Sequence, residues 1–120
     1  VREPAHPEEK FSDTSAETVR HLLEPFAFAS VFEGRVQDAP MLSGSDLHFL
    51  HLDVDLEAPT LWALKNVVPQ MPVGAVVVVD DYNRLSCPGV VRAVSTFLEE
   101  HSAVCCQIPV PSAQLVMVRT

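Results

Sequence analysis

The sequence predicts an α/β fold in which a parallel sheet is finished by an antiparallel hairpin, and three observations carry that prediction. Two apolar segments, residues 47–52 and 75–79, each run directly into acidic residues. Each is followed by a stretch in which apolar residues return at helical spacing. Two shorter apolar stretches close the chain, separated by a turn. Strands alternating with helices imply right-handed crossovers between parallel strands, with helices on the faces of the sheet.

The elements follow in order. Val1-Arg-Glu-Pro-Ala-His-Pro-Glu-Glu-Lys10 has two prolines and no periodicity and reads as loop. It opens without an initiating methionine, so the chain reads as the later part of something longer. Thr14-Ser-Ala-Glu17 fits a capping box, in which the Thr14 hydroxyl and Glu17 carboxylate satisfy free amides at a helix start. Val19, Leu22 and Leu23 then share one face, and Pro25 stops the helix. Residues 29–32 form a short apolar run closed by Gly34, which predicts a strand, with Gln37-Asp-Ala-Pro40 as the loop after it. Ser43-Gly-Ser45 is a turn, too short and too poor in glycine to cradle a phosphate. Leu47-His-Phe-Leu-His-Leu52 is a strand that turns acidic at Asp53-Val-Asp55. Pro59 suits the first turn of a helix, and Leu61, Leu64 and Val68 continue it to Pro69. Residues 75–79, Ala followed by four β-branched valines, are apolar on both faces, as a central parallel strand requires, and end in Asp80-Asp81. A helix over 89–101 places Val90, Val94, Phe97 and Leu98 on one stripe. Residues 104–110 and 114–118, split by Pro111-Ser-Ala113, suit a hairpin.

With 120 residues the chain is a single domain able to bury a core, and 48% hydrophobic against 20% charged residues argues against disorder. Sixteen acidic residues against eight basic ones give a net charge of −8, which repels a phosphate backbone or an anionic membrane, so nucleic acid and membrane are excluded as partners. Three cysteines, Cys87, Cys105 and Cys106, have no spacing typical of a zinc site or disulfide framework. They read as buried, inert thiols in a reducing, cytoplasmic setting. The longest apolar run is too short to cross a bilayer.

Ligands of such sheets bind beyond the carboxyl ends of the strands, where both acidic tips fall. If strands 47–53 and 75–80 are neighbours, Asp53 stands beside Asp80 and Asp81. Three carboxylates so close repel unless protons or a cation compensate them, and a hard oxygen-preferring ion such as Mg²⁺ meets that need. The competing explanation is that each acid caps a helix or faces solvent. His48 and His51 precede Asp53, and His51 shares its face by alternation, as a half-buried structural residue or as a hydrogen-bond partner of the site. Tyr82 either lines a pocket or packs.

His51-Leu-Asp-Val-Asp-Leu-Glu-Ala-Pro-Thr60 and Val76-Val-Val-Val-Asp-Asp-Tyr82, followed by Gly89-Val-Val-Arg-Ala-Val-Ser-Thr-Phe97, resemble the macrocin O-methyltransferase family. Phe11-Ser-Asp-Thr-Ser15 and the element order extend the resemblance over about residues 11–119. It implies a partial Rossmann-like class I methyltransferase fold, S-adenosylmethionine and Mg²⁺ as cofactors, and a hydroxyl of a sugar or other small molecule as acceptor. The metal acids of that family correspond to Asp53, Asp80 and Asp81, with Asp53 the choice for a shared role as ligand and base and Asp55 the alternative. Gly34-Arg-Val-Gln-Asp-Ala-Pro40 resembles the loop that lies against the adenine of the cofactor, which makes Val36, Gln37 and Asp38 cofactor contacts. Glu57 stands where the family usually has Tyr, and Ala75 replaces the second glycine of a pair. The glycine-rich turn after a first strand, and the acid ending a second, are not found, so the cofactor-binding strands are expected before Val1. Little methyl transfer is then expected of these residues alone, and an exposed apolar strand edge would favour a homo-oligomer or a complementing chain. Two further readings stay open: Phe49-Leu-His-Leu-Asp-Val-Asp55 also resembles the Asp-X-Asp strand of glycosyltransferases that bind a metal and a nucleotide sugar, and the domain would equally serve as a non-catalytic interaction module.

Overall fold

The computed structural model describes residues 14–39 and 46–120. They belong to two compact units, Val1–Ala39 and Pro40–Thr120. The loop read at residues 1–10, the upstream match at 11–13 and the turn at 43–45 lie outside the described residues.

In the first unit, helix α1 (Ala16–Leu23) is capped by Ser15, whose hydroxyl accepts from the Thr18 amide at 3.1 Å. The cap is therefore one residue later than the expected Thr14. Ser15 has the extended backbone (φ −142°, ψ 157°) that brings a cap hydroxyl within reach of the amide three residues on. Glu17 then sits in the first turn, near the positive end of the helix dipole. The helix ends at Leu23, ahead of Pro25. The strand expected at 29–32 is not formed. That run is irregular and has no ladder partner among the described residues, and an apolar run without a partner backbone leaves its own N–H and C=O groups to water. Gly34, at φ +153°, leads into a single 3-10 turn at Val36–Asp38.

The second unit follows the order β1 (Phe49–Leu52), α2 (Glu57–Asn66), β2 (Val76–Val79), α3 (Pro88–Glu100), β3 (Cys105–Ile108), β4 (Leu115–Arg119). A 3-10 turn at Val68–Gln70 follows α2. The sheet order is β1-β2-β4-β3, with β1 and β2 parallel and β4 antiparallel to both of its neighbours. This is the mixed α/β sheet, with its closing hairpin, that the hydrophobic pattern predicted. Both helices cover one face rather than two, and they pack on each other. The reason is topological: the β1-α2-β2 and β2-α3-β3 connections progress in the same direction across the sheet, so right-handed crossovers put both helices on the same side.

That side holds the core. Leu50 and Leu52 of β1, Val77 and Val79 of β2 and Leu115 and Met117 of β4 alternate inward, facing Ala63, Leu64, Val90, Ala93, Val94 and Phe97 of the helices. Each fully buried Leu, Val or Phe contributes about 1.5–3 kcal/mol over its exposed state. The intervening side chains Val76, Val78, Val116 and Val118 are only half-buried. Two ion pairs flank the helix seam, Arg92 with Glu57 at 2.8 Å and Lys65 with Glu100 at 2.5 Å. The Glu57 position is thus occupied structurally by a partner of α3. Gly74 carries the positive φ of the turn into β2 (+88°). Among the described residues no helix is long and apolar enough to cross a membrane.

Candidate functional site

The carboxyl ends of β1 and β2 carry the acids, and their placement follows from the ladder. The Val76 amide donates to the His48 carbonyl at 2.9 Å while Val76 pairs with Phe49. The Asp80 amide donates to the Leu52 carbonyl with the same offset, at 2.8 Å, so Asp53 is the register partner of Asp80. Adjacent strands lie about 4.8 Å apart, which sets the scale of that backbone separation. Asp53 is exposed, and the Asp80 side chain is 28% exposed. His51, two residues before Asp53 and on the same face, brings Nε2 to 3.5 Å from Asp80 Oδ2. The other oxygen of Asp80 accepts the Asp81 amide at 2.8 Å. Asp80 is thereby held from both sides.

Beyond the strands the backbone leaves extended geometry. Asp55, Asp81 and Asn83 all have positive φ, at 59°, 55° and 65°. The Leu56 amide bonds the Val54 carbonyl at 2.6 Å, closing a three-residue turn centred on Asp55, a rare and strained form when its central φ is positive. Such outliers gather where the surrounding fold has a use for them. Here they bring one oxygen of Asp55, one of Asp81 and the Cys87 sulfur to within 4.8 Å of one another. Of the three acids expected to cluster, Asp81 belongs to this group. Asp53 and Asp80 stand side by side in the ladder next to it.

The electrostatics of this arrangement are partly compensated. Two unit charges 4.8 Å apart repel by roughly 3 kcal/mol at an effective dielectric of about 20, before further solvent screening. Arg84 Nε donates to Asp81 Oδ1 at 2.9 Å. Asp55 immediately precedes Leu56, the N-cap of α2, and Cys87 is the N-cap of α3, so both carboxylates lie near positive helix ends. The donor set suits a hard divalent cation, for which carboxylate oxygens are the natural ligands. The Cys87 thiol, only 3% exposed, is a poor ligand for such an ion and forms part of the wall. Cys105 is buried as expected, whereas Cys106 is exposed, because β3 is an edge strand with one face in solvent.

Val36, Gln37 and Asp38 form the 3-10 turn of the first unit, with Val36 half-buried, Gln37 exposed and Asp38 accepting from Arg35 Nε at 2.9 Å. Tyr82, the residue after the acids, lines a cavity of about 420 Å³ together with residues of the β3–β4 connection. Asp55 and Cys87 are the members of the cluster that a reading by strand alternation passes over. The positive φ of Asp55 has no signature in a single sequence, and Cys87 arrives through the start of α3.

A family model described as macrocin-O-methyltransferase (TylF) matches residues 8–109. Eleven chains among solved structures match. One of them, the O-methyltransferase NovP, superposes with a TM-score of 0.71 at 27% identity, covering 87% of this chain and 44% of its own. The chain thus spans less than half the length of that relative. Comparison with curated proteins gives no match.

Proposed function

The chain belongs to the macrocin-O-methyltransferase (TylF) family, and from that premise we propose that it carries the metal and base half of an O-methyl transfer site, in which S-adenosylmethionine methylates a hydroxyl of a small molecule. The observation that supports this most is the placement of four aspartates at one sheet edge: Asp53 opposite Asp80 in backbone register, and a carboxylate oxygen of Asp81 within 4.8 Å of one of Asp55. A single structural acid at a strand end is ordinary, but four acids with two held in left-handed backbone are costly to keep without a use.

Asp53, Asp80 and Asp81 would hold a Mg²⁺ ion, which when bound supplies a Lewis acid and a template for the acceptor oxygen. The Asp81 amide donates to one oxygen of Asp80, and His51 Nε2 lies 3.5 Å from the other. Arg84 orients Asp81 and lowers the cost of gathering negative charge. Asp53, which is exposed, would share the roles of ligand and base, taking the acceptor's hydroxyl proton on the carboxylate oxygen turned away from the ion, with Asp55 as the alternative. S-adenosylmethionine, when bound, would supply the methyl group for that oxygen, and the proton taken from the acceptor would stay on the carboxylate. Most of the gain in such a step comes from orientation. Val36, Gln37 and Asp38 are proposed to face the adenine of the cofactor.

Titration of ¹⁵N-labelled protein with MgCl₂ tests the reading. Saturable shifts at the amides of Asp53, Asp80 and Asp81 are expected, and their absence would reject the metal site. Asp53→Asn should abolish methyl transfer while leaving the Mg²⁺ shifts at Asp80 and Asp81, and near-normal rates would remove Asp53 from the role of base.

A further inference from the structure

Resting on the methyl-transfer reading of the carboxylate edge, we propose that His51 is a positioning residue of that site. Its Nε2–H holds the Asp80 carboxylate in the orientation that presents it, with Asp53, to a divalent cation. The histidine acts through Asp80 and takes no part in the chemistry itself.

Placement comes first. Phe49 and His51 of β1 pair in register with Val76 and Val78 of β2, which pair in turn with Val118 and Val116 of β4. These positions alternate with the inward set of Leu50, Leu52, Val77 and Val79, so they share the sheet face opposite the helices. Ile108 of β3, the partner of Val116, extends the row of His51. Below the acids, His51 is the only hydrogen-bonding side chain that the described residues of these four strands put on that face, apart from the Cys106 thiol. Valine, isoleucine or an apolar ring would suit a strand position on such a face better. A histidine there breaks the local pattern, and breaks of this kind concentrate where function asks for them.

The neighbouring geometry says what the histidine serves. Asp80 continues the alternation of β2 beyond Val78, since its amide bonds the Leu52 carbonyl at 2.8 Å, and Asp53 follows His51 on β1 by the same two-residue step. The imidazole is therefore one step below the register pair of Asp53 and Asp80 and diagonal to Asp80, a spacing that rings and long side chains bridge. Its Nε2 is 3.5 Å from Asp80 Oδ2, while Oδ1 of the same carboxylate accepts the Asp81 amide at 2.8 Å. A carboxylate only accepts, so the ring nitrogen that faces it carries the proton, and Nδ1 of the neutral ring is then the acceptor. With one N–H directed at each oxygen, turning of the carboxylate about its Cβ–Cγ bond is opposed from both sides, and each oxygen keeps a second lone pair for a cation. The two side chains are 43% and 28% exposed, so water competes for the contact only in part. Removing a group that orients a ligating side chain in this way weakens metal binding by roughly 10–100-fold.

The test titrates ¹⁵N-labelled native protein, His51→Phe and His51→Gln with MgCl₂, reading the amides of Asp80 and Asp81, with thermal melts in the absence of magnesium as the control on folding. Phenylalanine keeps a flat ring over the apolar neighbours and loses the N–H, whereas glutamine loses the ring and keeps an N–H at the reach of Nε2. His51→Phe should raise the Mg²⁺ Kd about tenfold or more while melting no lower than the native protein. His51→Gln should stay nearer to the native Kd than to that of His51→Phe, so that affinity follows the donor and not the ring. If His51→Phe does not fold, His51→Val replaces it with the same expected loss. An unchanged Kd in the variant without the donor, or equal weakening with and without it, would overturn the inference. The native titration separates the two readings. Saturable Mg²⁺ shifts that are indifferent to the residue at position 51 leave the metal site standing and remove only this role for His51; their absence in native protein removes the metal site and this role with it.

Discussion

Replacing Arg84 by alanine should make the protein less stable in the absence of magnesium and more responsive to it. Arg84 Nε bonds Asp81 Oδ1 at 2.9 Å, with the arginine side chain 62% exposed and the aspartate 13%. Exposure of the cation limits the pair to about 1 kcal/mol. For a folding unit of this size, ~1 kcal/mol moves Tm by about 4–8 °C. A magnesium ion on Asp81 competes for the same oxygen. At about ten times its Kd an ion that binds only the folded state adds RT ln 11, about 1.4 kcal/mol. In the native protein part of that gain is spent displacing Arg84, so the observed stabilisation is smaller by up to the energy of the pair. In Arg84→Ala the full gain appears, and the two proteins should melt at similar temperatures once magnesium is saturating. Far-UV circular dichroism melts in MgCl₂ and in NaCl of equal ionic strength separate the specific effect from screening, which itself weakens the exposed pair. An equal magnesium shift in native protein and Arg84→Ala would refute the competition. A shift that survives in Asp81→Asn would show that the ion does not touch this carboxylate.

Three other outcomes are expected. Phe97→Ala should cost about 3–5 kcal/mol in urea unfolding, because Phe97 is fully buried and stacks on His101 with ring centroids 5.1 Å apart, so that the cavity left behind is lined on all sides; a loss below 1 kcal/mol would mean that α3 is not packed as described. In thiol labelling of the native protein Cys106 should react first, since Cys87 and Cys105 are buried. Burial pushes the Cys105 thiol above its ordinary value of 9.0, with nearby Arg119 opposing part of the shift. The folded state then holds this proton more tightly than the unfolded chain does, so stability from this group is complete below pH 9.0 and declines as pH rises past it. Cys105→Ala should flatten that alkaline decline, and an unchanged slope would assign it elsewhere.

Much of the fold was legible because its helices and strands obey strong periodic rules. The run Val76–Val79, the stripe Val90, Val94 and Phe97, and the final hairpin are each dictated by burial, and burial leaves a pattern in sequence. Residues 29–32 misled because a short apolar run meets the composition of a strand without supplying the partner that makes one. The cap at Ser15 rather than Thr14 is a choice between two neighbouring hydroxyls that meet the same compositional rule, each able to contribute the ~1 kcal/mol of a cap. At the site, alternation was enough to bring Asp53 opposite Asp80, because both still obey the ladder. It could not foresee the meeting of Asp55, Asp81 and Cys87, because two of these residues lie where the chain has turned to positive φ and the third follows a further turn.

The boundary between what was legible and what was not coincides with the boundary between core and site, and the two are mechanically linked. Leu50, Leu52, Val77 and Val79 must face the helices, and that requirement fixes the parallel register of β1 on β2. The same register sets Asp53 against Asp80, and the antiparallel register of β4 sets Gln114 on the far side. A one-residue slip of β2 would send Val77 and Val79 to the outer face, at a cost of several buried side chains, and would at the same time withdraw Asp80 from both neighbours. The hydrophobic pattern therefore enforces the geometry of the acids. The local strain at Asp55, Asp81 and Asn83 is sustained because the strands that precede these turns cannot shift to relieve it.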